Sequence, residues 1–184
     1  MKDYQLICFS DDSCLELRCF DNDICFDTPV QIFLCYANNR YILLDDILGY
    51  ALSELKSHFC NMDSLELIPE LLKTEIGIAQ NEYYYRCAEK LPLDAPAIKE
   101  INEKWCGNKY SCFESQDFST WVYRLRGQSY LKVTPLYSGN YNDEPKISYK
   151  EFSDSYKVLY ENCLQKKEVL QCQTIIKKLE KLIN

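Results

Sequence analysis

Histidine is nearly missing from this sequence, since His58 is the only one among 184 residues. Imidazole is the usual general base, proton shuttle or metal ligand of enzymes, so its scarcity argues against most catalytic classes. The sequence also contains no G-x-S-x-G elbow, phosphate-binding loop, H-E-x-x-H motif or dinucleotide fingerprint. We therefore predict a protein that is not an enzyme, has no catalytic residues and needs no cofactor.

Long apolar runs are absent as well. No segment approaches the roughly 18 apolar residues of a membrane-spanning helix. Residues 1–4 lack the basic start of a signal peptide, and no long apolar stretch follows them. We expect a cytoplasmic protein that does not bind membranes.

Glycine and proline are scarce, with 5 and 6 residues, and no segment is repetitive or of low complexity. A hydrophobic content of 47% is ample for a continuous core in a chain of this length. We predict one α+β domain over residues 1–184, and a division into lobes 1–76 and 77–184 stays open.

Cysteine, in contrast, is abundant, with 11 residues. No two neighbouring cysteines are separated by just two residues, so the paired spacing of a structural zinc site is missing and we predict no metal site. Several lie in apolar stretches, as Cys25 and Cys35 do, which is typical of small buried residues kept reduced. Whether any of them pair is left open.

The N-terminal part predicts a small antiparallel sheet, because strand-like runs alternate with turn-forming Asp and Asn residues. Those runs are residues 4–9, 15–20, 30–36 and 41–44. From Asp45 the apolar period becomes helical, which predicts a helix capped by Asp45 or Asp46 and ending near Cys60. A second helix is expected over residues 65–72, although Pro69 restricts where it starts.

The C-terminal part predicts a short helix from Asp94 to Gly107, then a second meander, then helix to the end of the chain. The meander strands are residues 110–114, 120–125 and 130–133. Residues 77–90 could be strand or helix, and 138–145 read as a loop. Ser148 and Glu151 form a capping box that should begin the last helical region. The fold class is thus α+β, with antiparallel sheets from the N-terminal hairpins and the later meander packed on helices.

Charge is distributed unevenly along the chain. Residues 1–76 carry 14 acidic and 5 basic side chains, a balance of −9, whereas residues 77–184 carry 14 acidic and 16 basic ones, a balance of +2. An acidic surface speeds encounter with a basic protein and repels nucleic acid, so we expect no direct nucleic-acid binding. Tyrosine is also enriched at protein interfaces, and Tyr137 is a candidate anchor. The candidate partner-binding aspartates lie in the predicted turns: Asp11, Asp12, Asp21, Asp23 and Asp27.

Residues 120–157 carry a further pattern, in which WVYRLRGQSYLKVTPLYSG precedes a polar loop and ISYKEFSDSYK. The stretch resembles the C-terminal half of bacterial immunity proteins of contact-dependent growth inhibition, where a Thr-Pro-x-Tyr turn precedes a Tyr-x-x-Phe-x-x-x-Tyr-Lys helix. The matching positions are Thr134, Pro135, Tyr137, Tyr149, Phe152, Tyr156 and Lys157. The resemblance implies a stoichiometric inhibitor of a cognate toxin domain, often a nuclease, and no catalytic residues carry over.

Two other functions are open alternatives. A viral or pathogen accessory protein that binds a host signalling partner would have the same acidic, cysteine-rich character. A small enzyme would need a Cys/His nucleophile, and His58 with Cys60 is the only candidate pair.

Overall fold

A computed structural model describes residues 1–140 and 147–183 and contains two four-stranded antiparallel sheets with four α-helices. The predicted α+β class is confirmed. The strands are β1 (Lys2–Ser10), β2 (Ser13–Cys19), β3 (Pro29–Tyr36), β4 (Asn39–Ile47), β5 (Glu100–Ile101), β6 (Lys104–Trp105), β7 (Ser111–Glu114), β8 (Phe118–Leu125), β9 (Gln128–Pro135) and β10 (Tyr160–Leu164). The helices are α1 (Leu48–Phe59), α2 (Ile76–Ala88), α3 (Tyr149–Ser155) and α4 (Lys166–Ile183).

The N-terminal sheet is a meander in the order β1-β2-β3-β4, as its alternating sequence predicts. Along β2, Leu15 and Leu17 are buried while Glu16 and Arg18 face outward, because successive side chains of a strand point to opposite faces. The inner face packs on α1 and α4. Only this face contributes to the core, which leaves the other face free to carry polar side chains.

The C-terminal sheet has the order β10-β9-β8-β7 and is buried more deeply. Trp121 in β8 is fully buried, and its indole Nε1 donates to Thr134 Oγ1 in β9 at 2.8 Å. The expectation that everything after Ser148 is helical is wrong, because α3 ends at Ser155 and β10 then pairs with β9. One cluster of buried hydrophobic residues runs through both sheets.

The predicted second helix over residues 65–72 is also wrong. Leu65 O accepts from Arg124 N, and Leu67 N donates to Arg124 O, both at 2.8 Å, so this segment is bonded to β8. Pro69 cannot donate to a helical carbonyl and instead opens a single 3₁₀ turn, Pro69–Leu71. Pairing with the sheet therefore replaces the helix that the leucines suggested.

The predicted helix from Asp94 to Gly107 is replaced by one 3₁₀ turn, Pro96–Ile98, and the short β5-β6 hairpin. Asn102 and Glu103 have φ of 53° and 64°, a left-handed backbone that makes a tight turn and cannot continue a helix. Trp105 follows the turn and donates from Nε1 to Ala97 O at 3.0 Å. The apolar spacing that predicted a helix thus arises because the β5-β6 hairpin packs on the 3₁₀ turn before it.

Helix starts are partly as predicted. Ser148 and Glu151 make the expected capping box at the start of α3. At α1, however, neither predicted aspartate is the cap, because Asp45 and Asp46 lie in β4 and Ile47 precedes the helix. The open segment 77–90 is mostly α2, and residues 141–145 of the predicted loop lie outside the described part of the chain. Among the described residues, we find no helix with both the length and the apolar content needed to cross a bilayer.

Candidate interaction surface

The five candidate aspartates do not form one cluster, which corrects the expectation of a single acidic surface. Asp11 and Asp12 lie in the β1-β2 turn, beside Ser13, whose partner in β3 is Tyr36. The other three follow Cys19, whose partner in β3 is Val30. A seven-residue strand, about 20 Å long at ~3.3 Å per residue, separates the two groups.

The three aspartates that follow β2 belong to the segment 20–28, which we name the acidic loop. Asp21, Asp23 and Asp27 are exposed, and none of them makes an ion pair with another described residue. Asp46 at the end of β4 is exposed at the same end of the sheet, where it is in register with Val30. Unpaired carboxylates gathered in this way create a negative potential that attracts a cationic surface.

Hydrogen bonds hold the acidic loop against the rest of the molecule. Thr28 is buried, its Oγ1 accepts from Cys25 N at 2.8 Å, and its carbonyl accepts from Leu48 N at 2.8 Å. The N-terminal amine donates to Asn22 Oδ1 at 2.8 Å. Gly49 N likewise donates to Phe26 O at 2.9 Å. The first two amides of α1 therefore donate to loop carbonyls, and no side-chain cap is needed for them.

Two phenylalanines of the acidic loop are exposed, which the sequence did not single out. Phe20 is 42% and Phe26 is 56% exposed, and Met1 beside them is 65% exposed. Phe26 lies over Gly49, where an added Cβ would come within 2.3 Å of the ring. One side of the ring is thus supported by backbone and another is open, a suitable arrangement for an interface anchor.

The opposite end of the sheet has a different character. Asp11 and Asp12 are exposed at a tight turn, where Asp12 N donates to Ser10 Oγ at 3.3 Å. Beside it, Tyr160 packs against Phe9 and Tyr36 with ring centroids 5.4 and 5.0 Å apart. These rings contact one another, and they fix β10 to the first sheet.

Tyr137, the candidate anchor, is buried at 6% exposure. Its hydroxyl donates to Ile147 O at 3.2 Å, and its ring lies 5.4 Å from those of Tyr149 and Phe152. Phe152 in turn contacts Tyr156 at 5.8 Å. The aromatic residues of the resemblance therefore pack together between β9 and α3, and Tyr137 as placed has little surface to offer a partner.

A polar network lies next to these rings. Tyr156 OH donates to Glu75 Oε2, and burial raises the Tyr156 pKa well above its usual range. Lys132 is 9% exposed and lies 3.3 Å from both Glu75 and Glu161. Because each member is occupied by a neighbour within the fold, the network joins α2, β9 and β10.

The enzyme alternative needs contact between the side chains of His58 and Cys60. His58 is 5% exposed, with Nδ1 2.9 Å from both Glu54 O and Ser57 Oγ. Cys60 is exposed at the C-cap of α1, and within the described residues no hydrogen bond joins the two side chains. A nucleophile and its base need such contact, so this geometry does not supply a Cys/His pair.

One group of possible metal ligands was missed by spacing alone. Cys14 in β2 lies opposite Cys35 in β3, and the two Sγ atoms and a Glu16 oxygen all lie within 4.8 Å of one another. Burial, followed by the neighbouring Cys35, raises the Cys14 pKa to about 12. The register of the β2-β3 hairpin was the signal that could have found this group.

Family models, curated proteins and solved structures were each compared with the chain, and none of the three comparisons gave a match.

Proposed function

We propose that this chain is an immunity protein that binds and neutralises a cognate toxin domain, with a nuclease domain as the first expectation. It acts in the cytoplasm by stoichiometric protein-protein interaction and performs no chemistry of its own. The observation that carries the proposal is the acidic loop, where three aspartates without an ion-pair partner and two exposed phenylalanines lie together on a hydrogen-bonded backbone.

The acidic loop combines the two properties that a binding surface needs. Its carboxylates attract a basic partner over a distance, which accelerates encounter, and nucleic-acid binding proteins such as nucleases present basic surfaces. Phe20 and Phe26 then supply apolar area that is removed from water on contact. Since hydrogen bonds already order this segment, little conformational entropy is lost on binding.

The resemblance of residues 120–157 to immunity proteins supports the proposal separately. Its aromatic positions pack between β9 and α3, so the shared pattern corresponds to a way of building the C-terminal half. In this proposal the C-terminal half is the scaffold, and the acidic loop carries the specificity.

The opposite ends of the N-terminal sheet provide a matched test. Asp21→Lys/Asp23→Lys alters the acidic loop, and Asp11→Lys/Asp12→Lys alters the far turn, while both raise the net charge by the same amount. Against the toxin domain encoded beside this gene, we expect the loop variant to associate about tenfold more slowly at low salt. The far-turn variant should stay near wild type, and growth protection on co-expression should follow the same order.

Equal association rates for the two variants would contradict the assignment of the binding surface. A gene with no neighbouring toxin gene, or a chain that gives no protection when co-expressed, would contradict the immunity function itself. If the chain is instead an accessory protein, we expect it to give no protection on co-expression and to bind a host protein.

A further inference from the structure

The outward face of the N-terminal sheet brings two thiols and a carboxylate together. Cys14 and Cys35 are directly opposite in the β2-β3 ladder, and Glu16 is the next outward residue along β2. All three are half-buried, and one ligand atom from each lies within 4.8 Å of the other two. Cysteines 21 positions apart are therefore neighbours in space.

We propose that Cys14, Cys35 and Glu16 bind one thiophilic divalent cation of the Zn²⁺ class. Zinc binds sulfur at ~2.3 Å with tetrahedral geometry, so two sulfurs on one ion are about 3.8 Å apart. The observed group is at most about 1 Å wider than this arrangement, a difference that side-chain rotation can close. Both thiols release their protons to solvent when the ion binds, and water takes the fourth position.

The two oxygens of Glu16 already have different roles. Oε1 accepts from Cys14 Sγ at 3.5 Å, so it faces the thiols, whereas Oε2 accepts from Arg40 Nη2. When the cation replaces the thiol proton, Oε1 is the atom placed to ligate it. Arg40 then holds the carboxylate from behind, as partners of metal ligands commonly do.

Charge supports the same ligand set. Two thiolates and one carboxylate carry −3, which the cation and Arg40 together balance. Arg40 also packs on Phe33, since its guanidinium lies 4.8 Å from the centre of that ring. Arg18 covers the same ring at 5.4 Å, which leaves Phe33 only 6% exposed although it is on the outward face. The two guanidinium groups and the Phe33 ring thus form a packed cluster next to the site.

Titration of the reduced full-length chain with Co²⁺, in the absence of oxygen, tests the site. We expect a sulfur-to-cobalt charge-transfer band that saturates at one equivalent and disappears when Zn²⁺ is added. The Cys14→Ser/Cys35→Ser variant should lose this band, and Glu16→Gln should weaken binding by about tenfold or more. Cys60→Ser removes an exposed cysteine just after α1 and should keep the band unchanged.

A band that survives in the double variant, or that Cys60→Ser removes, would show that Co²⁺ binds other thiols and would overturn the proposal. The absence of a band in the reduced wild type would also overturn it, including the case in which Cys14 and Cys35 only form a disulfide in air. Glu16→Gln keeps the test decisive if the double variant fails to fold, because it preserves both thiols and the side-chain shape. None of these outcomes depends on the proposed immunity function.

Discussion

The two four-stranded sheets of this protein place their polar side chains in opposite environments. The N-terminal sheet buries one face and leaves the other to ion pairs and thiols, such as the pair of Arg18 with Asp3. The C-terminal sheet contains polar groups within the fold, such as Lys132 between two glutamates and the Trp121 indole on Thr134. Polar and charged side chains are therefore exposed to solvent in the N-terminal sheet, whereas in the C-terminal sheet they are paired with one another inside the fold.

This difference separates stability from recognition. A buried polar group that loses its partner costs free energy, because it cannot recover hydrogen bonds to water. An exposed group can be exchanged at little cost, so the outward face and the acidic loop can change to suit a ligand. We therefore expect substitutions of the buried polar groups in the C-terminal sheet to alter folding, and those on the outward face of the N-terminal sheet or in the acidic loop to alter binding.

The largest expected effect is that of Trp121→Ala in the C-terminal sheet. The side chain is fully buried, and its removal leaves a cavity and takes away the hydrogen bond that Nε1 donates to the Thr134 hydroxyl. We expect a loss of about 3–5 kcal/mol in the free energy of unfolding, measured by urea titration. Phe26→Ala in the acidic loop is the control, since it also removes an aromatic ring but from a side chain that is 56% exposed. Comparable losses in the two variants would break the contrast between the sheets.

An intermediate effect is expected for Lys132→Met, which keeps the apolar stem and removes the charge. Glu75 and Glu161 are then left without their shared cation, and we expect a loss of about 2 kcal/mol in unfolding free energy. Adding Glu75→Gln should restore part of this loss, because the uncompensated carboxylate inside the fold is removed as well. A Lys132→Met protein as stable as wild type would mean that the network adds nothing to stability.

The N-terminal sheet could be predicted from its sequence because each strand lies between clear turn residues and alternates in polarity. β10 could not, since residues 160–164 lie between two helical patterns and pair with a strand far upstream in the chain. Residues 65–68 were missed for the same reason, as their leucines suit a helix and only the pairing with Arg124 decides otherwise. Local patterns report which residues are buried, whereas long-range pairing decides the element.

The two acidic groups could have been separated from the sequence alone. Successive turns of an antiparallel meander lie at alternating ends of the sheet, so Asp11 and Asp23 must be far apart once the strands are known. The same register places Cys35 opposite Cys14. The exposure of Phe26 could not be predicted, because it depends on contact with Gly49 in a helix that only the fold brings near.

The smallest expected effect is that of Asp3→Asn, the exposed counterpart of the Lys132 substitution. Arg18 donates to both Asp3 oxygens, at 2.9 and 3.0 Å, and this hydrogen bonding lowers the Asp3 pKa below its ordinary value. A carboxyl group with a lowered folded-state pKa stabilises the fold above its unfolded pKa, and the contribution is lost as the pH falls through the folded value. At neutral pH the variant should thus be slightly less stable than wild type, with a shift in the urea midpoint well below that of Lys132→Met. The difference should decline below the ordinary carboxyl pKa and also shrink in high salt, because the pair is exposed to solvent. A shift as large as that of Lys132→Met, or one that salt does not reduce, would show that the outward face contributes to stability as the inner network does.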